Sequence, residues 1–269
     1  QQICRAMKMV ASVRIRNAER KMKASKPYTA RYREIVGELM AQSGEVYHPL
    51  MEVRPVSRTL LVIITSDKGL CGAYNSNIFQ EGLKYLKDRG GDSIILWVLG
   101  NKGVRFFSRR GCEMEKKIIN WEPSYEFANS LSRELQRGFL DRLLDQVLCL
   151  YSIPVSTMVQ KPGLFTLLPL VATDTQCAQK CLQICFEPPP AVALGHILPI
   201  YMDVILYQIL MEAKVAEIGA RLRAMTSATD NAEDLIGDLK LQFFRARQES
   251  ITTEILEVTG GAEALRQGG

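Results

Sequence analysis

The stretch TSDKGLCGAYNSN (65–77) follows the apolar run TLLVII and precedes IFQEGLKYLKDR. A glycine-rich turn between a strand and a helix is a common phosphate site, because backbone N–H groups and the helix dipole converge there. Here the turn reads Gly69-Leu70-Cys71-Gly72, which matches neither G-x-G-x-x-G nor G-x-x-x-x-G-K-[ST]. Lys68 precedes the turn instead of following it, so it lacks the position of a phosphate-binding lysine. The residues therefore read as a tight strand-to-helix turn in which small side chains allow close packing. Cys71 has the setting of an activated thiol at a helix start, yet neither His48 nor His196 is local to it. Cys177, Cys181 and Cys185 are spaced C-x3-C-x3-C. Zinc sites favour C-x2-C pairs with a fourth ligand, and none is evident nearby. Inert thiols are the main reading, with a redox-active pair as the alternative and a metal site as the remainder. No catalytic residue, cofactor or metal ligand is assigned.

Charge narrows the partner classes. The 269 residues carry a formal +5, but residues 1–38 hold ten Lys/Arg against three acids, so the rest of the chain is slightly acidic. A basic arm of this kind fits nucleic acid, an anionic membrane or an acidic protein surface. It lacks aromatic interleaving and carries no zinc-finger, homeodomain or RNA-recognition signature. A basic coiled-coil nucleic-acid-binding protein stays as the alternative. Seven scattered cysteines do not form a secreted disulfide framework and point to a reducing compartment. The sequence shows no apolar run of the roughly 18 to 20 residues a membrane span needs. It opens inside a charged helical pattern, QQICRAMKMV, without a start methionine or signal-peptide core, so it is expected to be trimmed at this end.

Periodicity divides the chain into three parts. Residues 1–54 are a helix to about Tyr47, with Ala6, Met7, Met9, Val10, Val13, Ala18, Met22, Tyr28, Tyr32, Ile35, Val36 and Leu39 as the apolar face. Pro27 allows a kink or break there. Residues 55–190 alternate strands and helices. TLLVIIT (59–65) and SIILWVLG (93–100) read as strands buried on both faces. The helix between them takes Asn75 or Ser76 as N-cap and stops at Gly90-Gly91. A short helix (101–111), a weaker strand (113–121), a helix (125–144) and the strands QVLCLYS and LFTLLPL complete a three-layer α/β domain. After the proline break FEPPP, residues 191–269 keep one apolar stripe from Leu194 through Ala213, Ala216 and Met225 to Phe243, Ile251 and Val258. Some 65 to 70 helical residues reach about 100 Å, too long to fold back on themselves. The fold class is α/β: a long antiparallel coiled coil of N- and C-terminal helices with an inserted Rossmann-like domain.

AMKMVASVRIRNAER, ITSDKGLCGAYNSN, RLRAMTSATDNAEDLI and RARQESITTEILEVTGGAEAL occur in this order along nearly the whole chain. Together they closely resemble the γ subunit of F-type ATP synthases, and DQVLCLYSIPVSTMVQKPGLFTLLPL resembles that family's strand pair. The resemblance implies a central rotor stalk that couples a proton-driven membrane ring of c subunits to conformational cycling of catalytic β subunits. Catalysis then belongs to β, and the chain is not an enzyme alone. The implied partners are a hexamer of three α and three β subunits, a small ε subunit or its equivalent, and the c ring. No nucleic acid is expected, and the membrane is met only through the complex. Arg247, Gln248 and Thr252 match the family segment that hydrogen-bonds a β-subunit catch loop, with a neighbouring helix as the bland alternative for Thr252. Met7 and Lys8 match the segment near an acidic β loop, which gives the basic arm its partner. The resemblance leaves the glycine turn without a nucleotide. In the chloroplast branch a regulatory dithiol insertion lies near residues 173–186, where this chain has cysteines but no matching insertion. The expected location is peripheral on an energy-transducing membrane, foremost the cytoplasmic face of a bacterial plasma membrane, with thylakoid and mitochondrial inner membranes as alternatives.

Overall fold

The computed structural model describes residues 2–42, 48–89, 94–156, 159–170 and 188–267. Two long helices, α1 (Gln2–Gln42) and α5 (Pro190–Gln267), flank a sheet domain. The domain's strands are β1 (Thr59–Ile64), β2 (Ile94–Leu99), β3 (Lys116–Ile118), β4 (Gln146–Pro154) and β5 (Gln160–Leu168). Its helices are α2 (Tyr74–Asp88), α3 (Asn101–Arg109) and α4 (Tyr125–Leu140). Strand order is β3-β2-β1-β4-β5, parallel except for the antiparallel edge strand β5.

Every residue of β1 is buried, which explains why TLLVII is apolar without alternation: a central parallel strand is covered on both faces. Leu60, Val62 and Ile64 face a core built with α4, α5 and the end of α1. Leu61 and Ile63 face a second core with α2, α3 and the alanines Ala216 and Ala220 of α5. Gly100, between β2 and α3, sits at φ 99° and a Cβ there would lie 2.3 Å from the Thr65 carbonyl oxygen, so only glycine fits.

The coiled coil follows a strict alternation of three- and four-residue steps. On α1 the residues turned inward include Ala11, Ile15, Ala18, Met22, Ser25, Thr29, Tyr32, Val36 and Leu39. On α5 the matching seam is Gln208, Met211, Val215, Ile218, Leu222, Met225 and Thr229. Ile15, Ala18 and Met22 pack on Met211, Val215, Ile218 and Leu222. A 3.5-residue repeat keeps this seam facing its partner along a gentle supercoil. One polar layer marks the register: Ser25 donates to Gln208 at 3.1 Å, Gln208 to Glu212 at 2.8 Å, and the Tyr151 hydroxyl to Glu212 at 3.0 Å. That chain of bonds joins α1, α5 and strand β4.

Several expectations are corrected. Met9, Val10, Val13 and Tyr28 are exposed, not buried, because the seam runs through Ala11 and Ile15, one helical step away. Pro27 lies inside one continuous helix, its lost hydrogen bond being a local cost that the packed seam spans. The helix starting after Ser124 stops at Leu140, not Leu144, and Ser124 caps it by accepting from the Phe127 N–H. The N-cap of α2 is Ala73, while the Asn75 side chain is taken by Ser66. Helix α5 is long and apolar enough to cross a membrane by length and composition, contrary to the sequence reading. Its apolar stretch is 61% buried against the sheet and α1, as expected of a helix covered on all sides.

The register is testable by paired truncation. Ile15→Ala should cost about 2–4 kcal/mol, whereas Val13→Ala, at a position 54% exposed, should change stability by less than about 0.5 kcal/mol. Urea denaturation of the two variants measures both; equal losses would place the seam elsewhere.

Candidate functional site: an axle gripped by the sheet domain and bare at its end

In open α/β sheets ligands sit outside the carboxyl ends of the strands where strand order reverses. Here that point lies between β1 and β4, and α5 occupies it. Arg221 donates through Nε to the Gly69 carbonyl at 3.3 Å and through its terminal nitrogen to the Lys68 carbonyl at 3.2 Å. The same terminal nitrogen pairs with Glu217 at 2.7 Å. Lys214 lies 3.5 Å from Glu217 and 3.6 Å from Glu122, and its ammonium sits over the Trp121 ring. From the neighbouring helix α2, Tyr74 donates its hydroxyl to the Ala213 carbonyl at 3.2 Å. The glycine turn therefore aims carbonyl oxygens at a guanidinium of its own chain, the opposite polarity from a phosphate cradle.

The turn is held from behind as well. Thr65 donates to the Leu99 carbonyl and accepts from the Gly103 N–H, and Asp67 accepts from the N–H groups of Asn101 and Asn120. Trp121 donates to the Thr65 carbonyl. Gly72 takes the left-handed φ of 57° that lets the turn close into α2. Cys71 is buried with Ser66 and Asn75 around its sulfur, and burial pushes the thiol up despite the hydrogen bond it shares with Ser66 and the nearby Arg221 charge. A raised thiol is a poor nucleophile, so Cys71 is a packing residue. Burial likewise pushes Cys149 up to about 12.

Beyond these contacts α5 emerges from the sheet domain. The end of α1 lies beside Thr229, Asp230 and Glu233, with Arg5, Lys8, Met9 and Ser12 across the groove. From Glu233 to Gly261 every α5 residue is exposed. Leu235, Leu239, Phe243, Ile255 and Val258 lie bare, with Phe243 62% exposed. A helix side this apolar calls for a covering surface.

Comparison with known proteins accords with this arrangement. A family model described as ATP synthase matches residues 1–265. The ATP synthase gamma chain of Heliobacterium modesticaldum is 38% identical across 98% of this chain and 94% of its own length. That of Halothermothrix orenii is 38% identical across 99% and 94%. This chain belongs to the ATP synthase gamma-chain family. The fold is shared with the central stalk of the Tetrahymena thermophila mitochondrial ATP synthase, at TM-score 0.64 and 22% identity over 84% of this chain and 99% of that one. It is shared too with the Euglena gracilis mitochondrial ATP synthase rotor, at TM-score 0.65 and 18% identity over 93% of each.

The residues singled out from sequence fall in different places on this gamma chain. Arg247, Gln248 and Thr252 are exposed on the bare part of α5. The Thr252 hydroxyl donates back to the Gln248 carbonyl at 2.8 Å, and no second helix of the described residues lies beside it. Met7 and Lys8 are half-buried near the end of α1, Lys8 facing the acidic Asp230 and Glu233. The structure does not bring the two sets together as one site. Cys177, Cys181 and Cys185 lie outside the described residues. Sequence reasoning missed Lys214, Glu217 and Arg221. Their signal was present as three charges at i, i+3 and i+7 in the otherwise apolar stretch 213–222, where a buried charge demands a partner.

Two outcomes follow from this geometry. Glu217→Ala removes the carboxylate that Lys214 and Arg221 share, in a site where Glu217 is 5% exposed, and should cost about 3 kcal/mol, read as a lowered unfolding midpoint. In the folded chain Cys71 and Cys149 should alkylate far more slowly than half-buried Cys4 and Cys112, measured residue by residue by mass spectrometry.

Proposed function

We infer that the chain is the central rotor stalk of an ATP synthase. Rotation of a membrane ring enters at the sheet domain, and α5 carries it to catalytic subunits as an asymmetric axle. The observation that carries this reading is the division of α5 into a gripped half and a bare half. One end is bound by Arg221, Glu217 and Tyr74, while the other offers an exposed apolar and charged surface to an enclosing partner. Family membership and the likeness to central stalks support the same reading. It excludes the nucleic-acid alternative, which gives no role to a bare apolar helix. The chain supplies torque transmission and no bond-making group of its own. Its partners are a hexamer of three α and three β subunits, a small ε-type subunit and the c ring. Three working parts are proposed: residues 1–54 and 191–269 as the shaft, and 55–190 as the sheet domain.

Arg247, Gln248 and Thr252 are assigned to a catch loop of a β subunit. Arg247 and Gln248 project from exposed helix, where a charge-assisted hydrogen bond to a carboxylate is strong yet renewable at every step of rotation. Met7 and Lys8 are assigned to an acidic β loop that the shaft pushes, Lys8 lining one groove with Asp230 and Glu233. The complex is membrane-bound, and the bacterial origin of the similar gamma chains favours the cytoplasmic face of a plasma membrane. Redox control through Cys177, Cys181 and Cys185 is assigned no role.

Reconstitution with α and β subunits of a related enzyme tests the assignment. The wild-type chain should assemble at one copy per three αβ pairs and support ATP hydrolysis. Arg247→Ala and Gln248→Ala should assemble equally well and turn over more slowly, by about the tenfold expected for loss of one charged hydrogen bond. Unchanged turnover in both variants would remove the catch role from these residues.

A further inference from the structure

Between α1, α5 and the loops at the carboxyl end of the sheet lies a cleft of about 480 Å³. It is bordered by the segments that follow β1 and β3, and it adjoins the glycine turn through Asp67 and Lys68. Five cations line it from three different elements: Arg14 and Lys21 from α1, Lys68 from the β1–α2 loop, and Lys214 and Arg221 from α5. Three acids line it too, and each is already engaged. Asp67 accepts two backbone N–H groups, Glu217 holds Arg221 and Lys214, and Glu122 pairs with Lys214. Among the described residues no carboxylate pairs with Arg14, Lys21 or Lys68. Three uncompensated cations therefore converge on one concavity whose wall includes the indole of Trp121.

We propose that this cleft binds a phosphate-bearing anion, held by Arg14, Lys21 and Lys68. Its volume lies within the range of small-ligand sites and exceeds what a single ion requires, so inorganic phosphate and a nucleoside polyphosphate both fit. Lysine ammoniums and an arginine fork are the side chains that recognise phosphoryl oxygens. The bound anion bridges α1 to the sheet domain across the cleft. Occupancy stiffens the junction where the axle is gripped, which links shaft rigidity to the phosphate or nucleotide concentration around the motor.

The test is calorimetric titration of the full chain with inorganic phosphate, with ADP and with ATP, chloride being adjusted to hold ionic strength constant. Saturable binding is expected for at least one probe, and the Lys21→Ala/Lys68→Ala double variant should bind it at least tenfold more weakly. Both positions are exposed, so circular dichroism should show the double variant folded. Lys84→Ala, exposed on α2, should bind as wild type. Binding of phosphate alone identifies the phosphoryl group as the determinant, and binding of ATP or ADP alone identifies a nucleotide. Absence of saturable binding for all three probes, or binding that the double variant retains in full, would overturn the proposal.

Discussion

Everything in this molecule depends on one helix being buried on all sides for part of its length and on none for the rest. Over residues 201–220 α5 is almost continuously buried, enclosed by the sheet, by α4 and by α1. Ala213, Ala216 and Ala220 are buried and let it pass close to the sheet domain, with only methyl groups between the backbones. A helix in that position cannot slide or turn without breaking the Arg221 bonds to the glycine turn and the Glu212 bond to Tyr151. Past Glu233 the same helix is exposed among the described residues, so a rotation imposed on the sheet domain is passed along α5 to whatever surrounds that end.

The glycine turn takes its meaning from that axle. A strand-to-helix turn at the switch point of a parallel sheet suits phosphate, but here its carbonyl groups face Arg221 and its aspartate is spent on neighbouring N–H groups. The fold's ligand crevice has become a bearing seat. Burying Glu217 costs desolvation energy that only Lys214 and Arg221 together offset, and the benefit of such a cluster is a fixed angular position, as polar layers fix register in coiled coils. The Ser25–Gln208–Glu212–Tyr151 chain does the same one layer away.

Much of this was legible in the sequence. The continuous apolar runs TLLVII and IILWVL betrayed a central parallel sheet, and the unbroken pattern after FEPPP betrayed a helix too long to fold back. The buried face of α1 was not legible, because Met9, Val10 and Val13 are as apolar as Ala11 and Ile15. Only the partner helix chooses between two stripes one step apart. Helix ends misled for a similar reason: Asn75 is a good cap, but Ser66 and Cys71 compete for its side chain. The grip of Lys214, Glu217 and Arg221 needed the fold, since its partners come from residues 68–69 and 122. The catch residues Arg247, Gln248 and Thr252 were read through resemblance, and the fold of the described residues leaves them on exposed helix.

The most direct test of the account is rotation itself. With the assembled complex fixed through its β subunits and a bead tethered to α2 of the sheet domain, ATP should drive the bead in one direction. A Glu217→Ala/Arg221→Ala variant that still assembles and hydrolyses ATP should turn the bead with slippage, because the axle is no longer gripped. Hydrolysis with a stationary bead in the wild type, or unimpaired torque in the variant, would contradict the claim that this chain transmits force through the seat around α5.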